Sequence, residues 1–124
     1  MALQLTTNGR DTFLQALQAK IRYAQLVDAD GDEIEGWNYE AKWINQDGWN
    51  GTSYEDGVTW IFVTTDPANE AAQIVAGLAW ADEARQVLAI EPLDEPFIIN
   101  RTGQTLVVEP VLRLFGVVAP QRED

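Results

Sequence analysis

The sequence predicts a mainly β fold: an antiparallel β-sandwich or jelly-roll-like barrel with one N-terminal α-helix. Three observations predict it. Only residues 8–20 carry an apolar stripe at helical spacing. After them come seven or eight short runs rich in β-branched and aromatic residues. Turn signals separate these runs about every ten residues, the spacing of a sandwich or barrel. With no second good helix, a series of βαβ units is excluded.

The elements follow in chain order. In the helix, Thr7 or Asn8 is the expected cap, and Asp11 in the first turn suits the helix dipole. Phe13, Leu14 and Leu17, with Ala16 and Ala19, form the apolar stripe and leave Arg10, Gln15 and Gln18 outward. Residues 21–27 read as a strand with Tyr23, Gln25 and Val27 on one face and Arg22, Ala24 and Leu26 on the other. The turn Asp28-Ala29-Asp30-Gly31-Asp32 ends it. Residues 34–44 read as a second strand region, interrupted near Gly36. Trp37, Tyr39, Ala41 and Trp43 alternate there with Asn38, Glu40 and Lys42, which points the aromatic rings at the core. Residues 46–57 are polar and read as a long surface loop carrying Trp49 and Tyr54.

Residues 58–64 alternate Trp60 and Phe62 with Thr59, Ile61 and Val63. Residues 66–70 are a turn. Residues 74–80 are an apolar strand in which Gly77 marks a bulge or close backbone approach. Residues 82–85 form a hairpin tip leading into a strand at 87–90. Pro92 and Pro96 make residues 91–96 a connection, because neither can donate to a ladder. A short strand at 97–99, a tight turn at 100–103 and strands at 105–109 and 111–118, or one strand bent at Pro110, complete the chain. One domain is expected over residues 1–124: an arm at 1–7, the helix at 8–20, a β body at 21–118 and a polar tail at 119–124.

Composition narrows the chemistry. The 124 residues are 46% hydrophobic, enough to bury a core without metal or disulfide staples. There is no Cys, which removes disulfides, thiol nucleophiles and thiolate metal sites. There is no His, so neither a Ser-His-Asp nor a Cys-His centre can be built. The net charge of -12 repels phosphate backbones and anionic lipids, so neither nucleic acid nor membrane is an expected partner; a basic protein surface is. Residues 1–7 lack the basic start and apolar run of a signal peptide. No stretch approaches the roughly 20 apolar residues of a membrane span. The chain is therefore read as non-enzymatic, with no catalytic residue, no cofactor and no metal.

Three constellations stand against that reading. Asp28, Asp30, Asp32, Glu33 and Glu35 alternate like hard calcium ligands. EF-hand spacing fails, because Glu33 and Tyr39 stand where Gly and a bidentate Glu are required; a solvated hairpin turn is the simpler expectation. Glu40, Asp47, Glu55 and Asp56 lie near Trp43, Trp49 and Tyr54, a mixture that suits sugar binding. With 20 acids in the chain, such neighbours arise by chance, so glycoside hydrolysis is remote and a carbohydrate-binding module is kept as an alternative. Asn50-Gly51-Thr52 and Asn100-Arg101-Thr102 match the glycosylation sequon, which says nothing without secretion.

The order of features also carries a resemblance. Leu5-Thr6-Thr7-Asn8-Gly9-Arg10-Asp11 opens a helix, and Tyr23-Ala24-Gln25-Leu26-Val27-Asp28-Ala29-Asp30-Gly31 follows as strand and turn. Gly36-Trp37-Asn38-Tyr39, the strand at 74–80, Gln86-Val87-Leu88-Ala89-Ile90-Glu91-Pro92-Leu93 and Asn100-Arg101-Thr102-Gly103-Gln104-Thr105-Leu106 come next. This resembles a group of short tailed-bacteriophage virion proteins, described as head decoration (cement) proteins or as tail and fibre-associated proteins. In them an N-terminal helix joins a β-sandwich. The loop at 46–57 has no counterpart in that pattern. The resemblance implies a homo-oligomeric virion component, often trimeric, assembled in the host cytoplasm and bound to the major capsid protein or another virion protein. It brings no catalytic residue. A clamp of this kind is expected to make its contacts from termini and loops, since a sandwich needs its strands for its core. Leu3, Leu5, Trp49, Tyr54, Val118 and Pro120 are the expected interface residues, and edge strands are expected to pair across subunits.

Overall fold

A computed structural model describes residues 4–112. It is mainly β, with antiparallel sheets and a single N-terminal helix, in a β-sandwich-like arrangement. Helix α1 spans Thr7–Lys20. Thr6 caps it, its hydroxyl accepting from the Gly9 N–H at 3.0 Å; the cap therefore lies one residue before the expected positions. Asp11 stands beyond the first turn and pairs weakly with Arg10 at 3.7 Å. Leu14 is buried and Leu17 packs against the core, but Phe13 faces water, so the buried stripe is narrower than the sequence suggested.

Eight strands follow: β1 (Tyr23–Val27), β2 (Lys42–Trp43), β3 (Trp49–Asn50), β4 (Ser53–Tyr54), β5 (Val58–Phe62), β6 (Gln73–Ala81), β7 (Val87–Ile99) and β8 (Gln104–Val108). One sheet has the order β2-β1-β6-β7, all antiparallel. Opposite it, β5 pairs with β8 from Val58↔Val108 to Phe62↔Gln104. Past a turn at 55–57 the ribbon resumes: Ser53 bridges Val111, and the Leu112 N–H donates to the Thr52 carbonyl. The core lies between these layers. In β5 the predicted alternation holds, with Val58, Trp60 and Phe62 buried and Thr59 and Ile61 exposed. Phe62 meets Phe97 of the facing sheet, ring centroids 5.9 Å apart, and Trp49 meets Trp80 at 5.6 Å.

The bulge anticipated at Gly77 is present, with its extra residues on the partner strand β7. The register passes from Val75↔Phe97 to Gly77↔Pro92, so that Ala76 alone faces residues 93–96. This resets the alternation, and Val75 turns inward together with Leu78 and Trp80. A Cβ at Gly77 would stand 3.0 Å from the Glu91 carbonyl oxygen, which explains the glycine.

Three expectations are corrected. Residues 91–96 are not a connection; they belong to β7, which runs unbroken through both prolines. β7 is the outermost strand of its sheet among the described residues, and an edge strand tolerates a missing N–H on its solvent side. Residues 34–44 are not one strand. Gly36, Trp37 and Asn38 all have positive φ (76°, 56° and 57°), which folds the chain back, and only Lys42 and Trp43 pair. Residues 46–57 are not a plain loop but a short 3₁₀ turn followed by the β3–β4 hairpin. The expected strand at 111–118 and the tail lie almost wholly outside the described residues.

Inward and outward positions on β5 should differ sharply in cost. Phe62→Ala is expected to destabilise by about 3–5 kcal/mol. Ile61→Thr, one residue earlier, should change stability by no more than about 0.5 kcal/mol. Urea titration with an unchanged m-value measures both, and similar losses would contradict the facing assigned here.

Candidate functional site

The four-stranded sheet spends its inner face on the core and presents a second face outward. Residues directly opposite one another share a face. Trp43 lies opposite Tyr23, Tyr23 opposite Ala81, and Ala81 opposite Val87, so one row crosses all four strands. Two residues along, Gln25, Ala79 and Ile90 form the next row. The small buried alanines keep the centre low, while Trp43 (60% exposed), Val87 and Ile90 stand up at its sides. Trp43 meets Tyr23 edge to face, centroids 5.4 Å apart and planes at 84°.

Arg85 enters this face from the β6–β7 hairpin tip. The Asp82 carboxylate accepts from the N–H groups of Ala84 and Gln86, and the Arg85 N–H donates to the Asp82 carbonyl. Arg85 itself has φ 68°. Its guanidinium sits 4.6 Å from the Tyr23 ring centroid and 3.6 Å from a Glu33 carboxylate oxygen. It is a cation held by an aromatic face and an acid together.

Beside it is a groove of about 480 Å³ lined by Glu33, Ile34, Glu35, Tyr39, Glu40, Ala41 and Arg85. It exists because β2 stops after two residues. Beyond them the edge of β1 is completed by side chain and loop: the Leu26 N–H donates to the Tyr39 hydroxyl at 3.0 Å, and the Ile34 N–H donates to the Leu26 carbonyl. The Tyr39 hydroxyl in turn donates to Glu33. Burial, and then that bond to Glu33, push the Tyr39 hydroxyl well above the ordinary phenol range, so it stays protonated. The left-handed turn before it is held by Trp37, whose buried indole N–H donates to the Ala71 carbonyl at 2.8 Å. Gly36 suits its left-handed φ of 76°, where a side chain would be strained, and a Cβ there would also displace the Glu70 carboxylate, 2.5 Å away. The Glu35 and Glu40 carboxylates have no ion pair or hydrogen bond among the described residues, leaving the groove acidic.

The residues expected at an interface are distributed differently. Tyr54 is only 4% exposed and belongs to the core; its hydroxyl accepts from the Asn45 N–H at 3.0 Å. Trp49 is half-buried between Tyr54 and Trp80, on the inner side of the sheet, and its buried Nε1 has no partner among the described residues. Leu5 is half-buried, and Leu3, Val118 and Pro120 lie outside the described residues. Trp43 is therefore not on one platform with Trp49 and Tyr54, and the strand alternation that sent it to the core is corrected. Asp28, Asp30 and Asp32 bring carboxylate oxygens within 4.8 Å of one another. Asp28 uses one oxygen to accept from the Asp30 and Asp32 N–H groups, as an Asx turn does.

Nor, among the described residues, do exposed apolar side chains concentrate in loops. Ile61 (58% exposed) and Val107 (60%) stand on the outer face of the β5–β8 ribbon, while Ile74 and Ile98 face each other across β6 and β7. Sequence reading passed over Arg85, Tyr23 and Val87 as a group. The available signal was the hairpin at 82–85, which fixes the register that brings them together. Comparison with protein-family models, curated proteins and solved structures finds no match.

Tyr39→Phe removes the acceptor of the Leu26 N–H and should cost about 1–3 kcal/mol near neutral pH. The Tyr39 proton is held more tightly folded than unfolded, so its contribution is complete below pH ~10 and declines as pH rises beyond it. Urea midpoints measured from neutral to alkaline pH should therefore fall more steeply for the wild type than for Tyr39→Phe. Parallel curves would show that Tyr39 is not the group responsible.

Proposed function

We propose that this chain is a non-enzymatic structural protein of a phage virion, a capsid decoration (cement) protein that binds and stabilises the assembled head. The observation that carries the reading is the placement of exposed apolar side chains on rigid strands. Ile61 and Val107 project from one outer face, and Trp43, Val87 and Ile90 from the other. Side chains held by a hydrogen-bonded ladder lose little further freedom on binding, which favours a permanent contact over a transient one. Ile61 and Val107 share one outer face, and Trp43, Val87 and Ile90 another, so each face offers apolar area to a partner. The acidic, Cys-free composition and the resemblance to short virion proteins agree with this. The partner is the major capsid protein, and the assembly unit is a homo-oligomer, a trimer by that resemblance. In this reading the strand faces make contacts beyond those expected of the termini, where Leu3, Val118 and Pro120 lie outside the described residues.

The test adds purified protein to undecorated heads and to tails and images both by cryo-electron microscopy. Regular density on the shell is expected, with its local symmetry giving the oligomeric state. Combining Ile61→Thr with Val107→Thr should weaken head binding at least tenfold, about 1.4 kcal/mol, without moving the urea midpoint by more than a small amount. Density at a neck or tail would transfer the protein to an adaptor role. Binding to neither particle, with retention on a glycan array, would overturn the structural reading in favour of carbohydrate binding.

A further inference from the structure

We propose that the face around Trp43 is a docking site for an arginine side chain carried on a basic surface loop of a partner protein. The inference deepens the assembly reading above by giving the chemistry of the partner. The protein already contains a template for the contact. Arg85 lays its guanidinium over Tyr23 at 4.6 Å and meets Glu33 at 3.6 Å. Immediately beside it, Trp43 repeats the aromatic half of that arrangement without a cation. Its ring stands 5.4 Å from Tyr23, is 60% exposed, and has no cation over it among the described residues.

The acids come from a groove whose lining reaches Ala41, two residues before Trp43. The Glu35 and Glu40 carboxylates line the groove that Arg85 borders and have no cationic partner among the described residues. Trp is the strongest ring for a cation, and a planar guanidinium can stack on it while bonding a carboxylate with its edge. An ammonium is a more strongly hydrated point charge and gains less from stacking, so arginine is favoured over lysine. Lys42, the nearest base in sequence, alternates to the other side of β2 from Trp43 and does not compete. Val87, in the same row, and Ile90 in the next give the apolar stem and neighbouring residues of the loop a place to rest. The net charge of -12 draws a basic segment toward the protein and disfavours a second acidic copy as the occupant.

The experiment uses the full chain, ¹⁵N-labelled, titrated with a tetra-arginine peptide at physiological ionic strength. The Trp43 indole resonance is assigned by its loss in Trp43→Ala. It is expected to move on titration. Trp43→Ala and the pair Glu35→Gln with Glu40→Gln should each weaken binding at least tenfold, Trp43→Phe should retain most of it, and a tetra-citrulline peptide should not bind. Unchanged affinity in Trp43→Ala would reduce the effect to bulk charge attraction and overturn the site. So would equal binding of citrulline, no binding at all, or a glycan that shifts Trp43 where the peptide does not. Heads decorated equally well by Trp43→Ala, with no arginine-peptide binding, would refute this site and leave decoration standing. Peptide binding without decoration of heads would do the reverse.

Discussion

The fold depends on three fully buried indoles, each of which places its N–H on a distant acceptor. Trp37, Trp60 and Trp80 are almost wholly buried, and each donates a bond of 2.7–2.8 Å. None of these acceptors is close in sequence. Trp37 reaches the Ala71 carbonyl, Trp60 the Glu40 carbonyl and Trp80 the Glu91 carboxylate. Leaving such a group unpaired costs about 1–3 kcal/mol, comparable with a tenth or more of a small domain's stability. Irregular segments are therefore tied to the core by the same rings that fill it. The bond from Trp60 fixes Glu40, and the bond from Trp37 fixes the turn before Tyr39. The Tyr39–Glu40 part of the acidic groove is thus set by core packing, while Glu33 and Arg85 are held by their ion pair. That is how a segment with only two paired strand residues holds a defined shape.

The same rings explain which parts of the fold were legible in the sequence. The helix, β1, β5, β6 with its irregularity at Gly77, and the tip at 82–85 all followed from local pattern and residue type. Residues 34–44 did not, although Trp37, Tyr39 and Trp43 alternate well. Two consecutive left-handed residues at Trp37 and Asn38 break the strand, and only the burial of the Trp37 ring makes that conformation worthwhile. No local signal reports a tertiary bond to Ala71. The prolines of β7 misled for a related reason: the rule that proline ends a strand applies where both edges are paired, and β7 has a neighbour on one side only among the described residues. The β3–β4 hairpin was hidden because a two-residue strand has no period to read.

The candidate site was less legible than the fold. Trp49 and Tyr54 looked exposed because their neighbours are Asp, Gly and Asn. The structure shows that polar neighbours can form a rim while the rings turn under it, Tyr54 into the core and Trp49 onto Trp80. Trp43 looked buried because its neighbours are aromatic. Its true position depends on pairing with Tyr23, and through Tyr23 with Ala81 and Val87, which are distant in sequence. A row across four strands is a property of register, and register is what a single sequence specifies least directly.

The edges and faces of the sheet also divide their tasks. An outer strand as long as β7 would ordinarily invite another strand to pair with it, as the sequence reading anticipated between subunits. Here Pro92 and Pro96 remove two N–H groups, Asp94 and Glu95 add charge between them, and the bulge bends the strand there. Each of these features discourages edge-to-edge pairing, and together they blunt the middle of the strand. The faces are treated oppositely: Trp43, Ile61, Val87, Ile90 and Val107 are left in water where polar residues would keep the surface inert. Suppressing backbone pairing while keeping apolar side chains on rigid strands favours partners that read the side chains, and it limits uncontrolled stacking of copies through their edges.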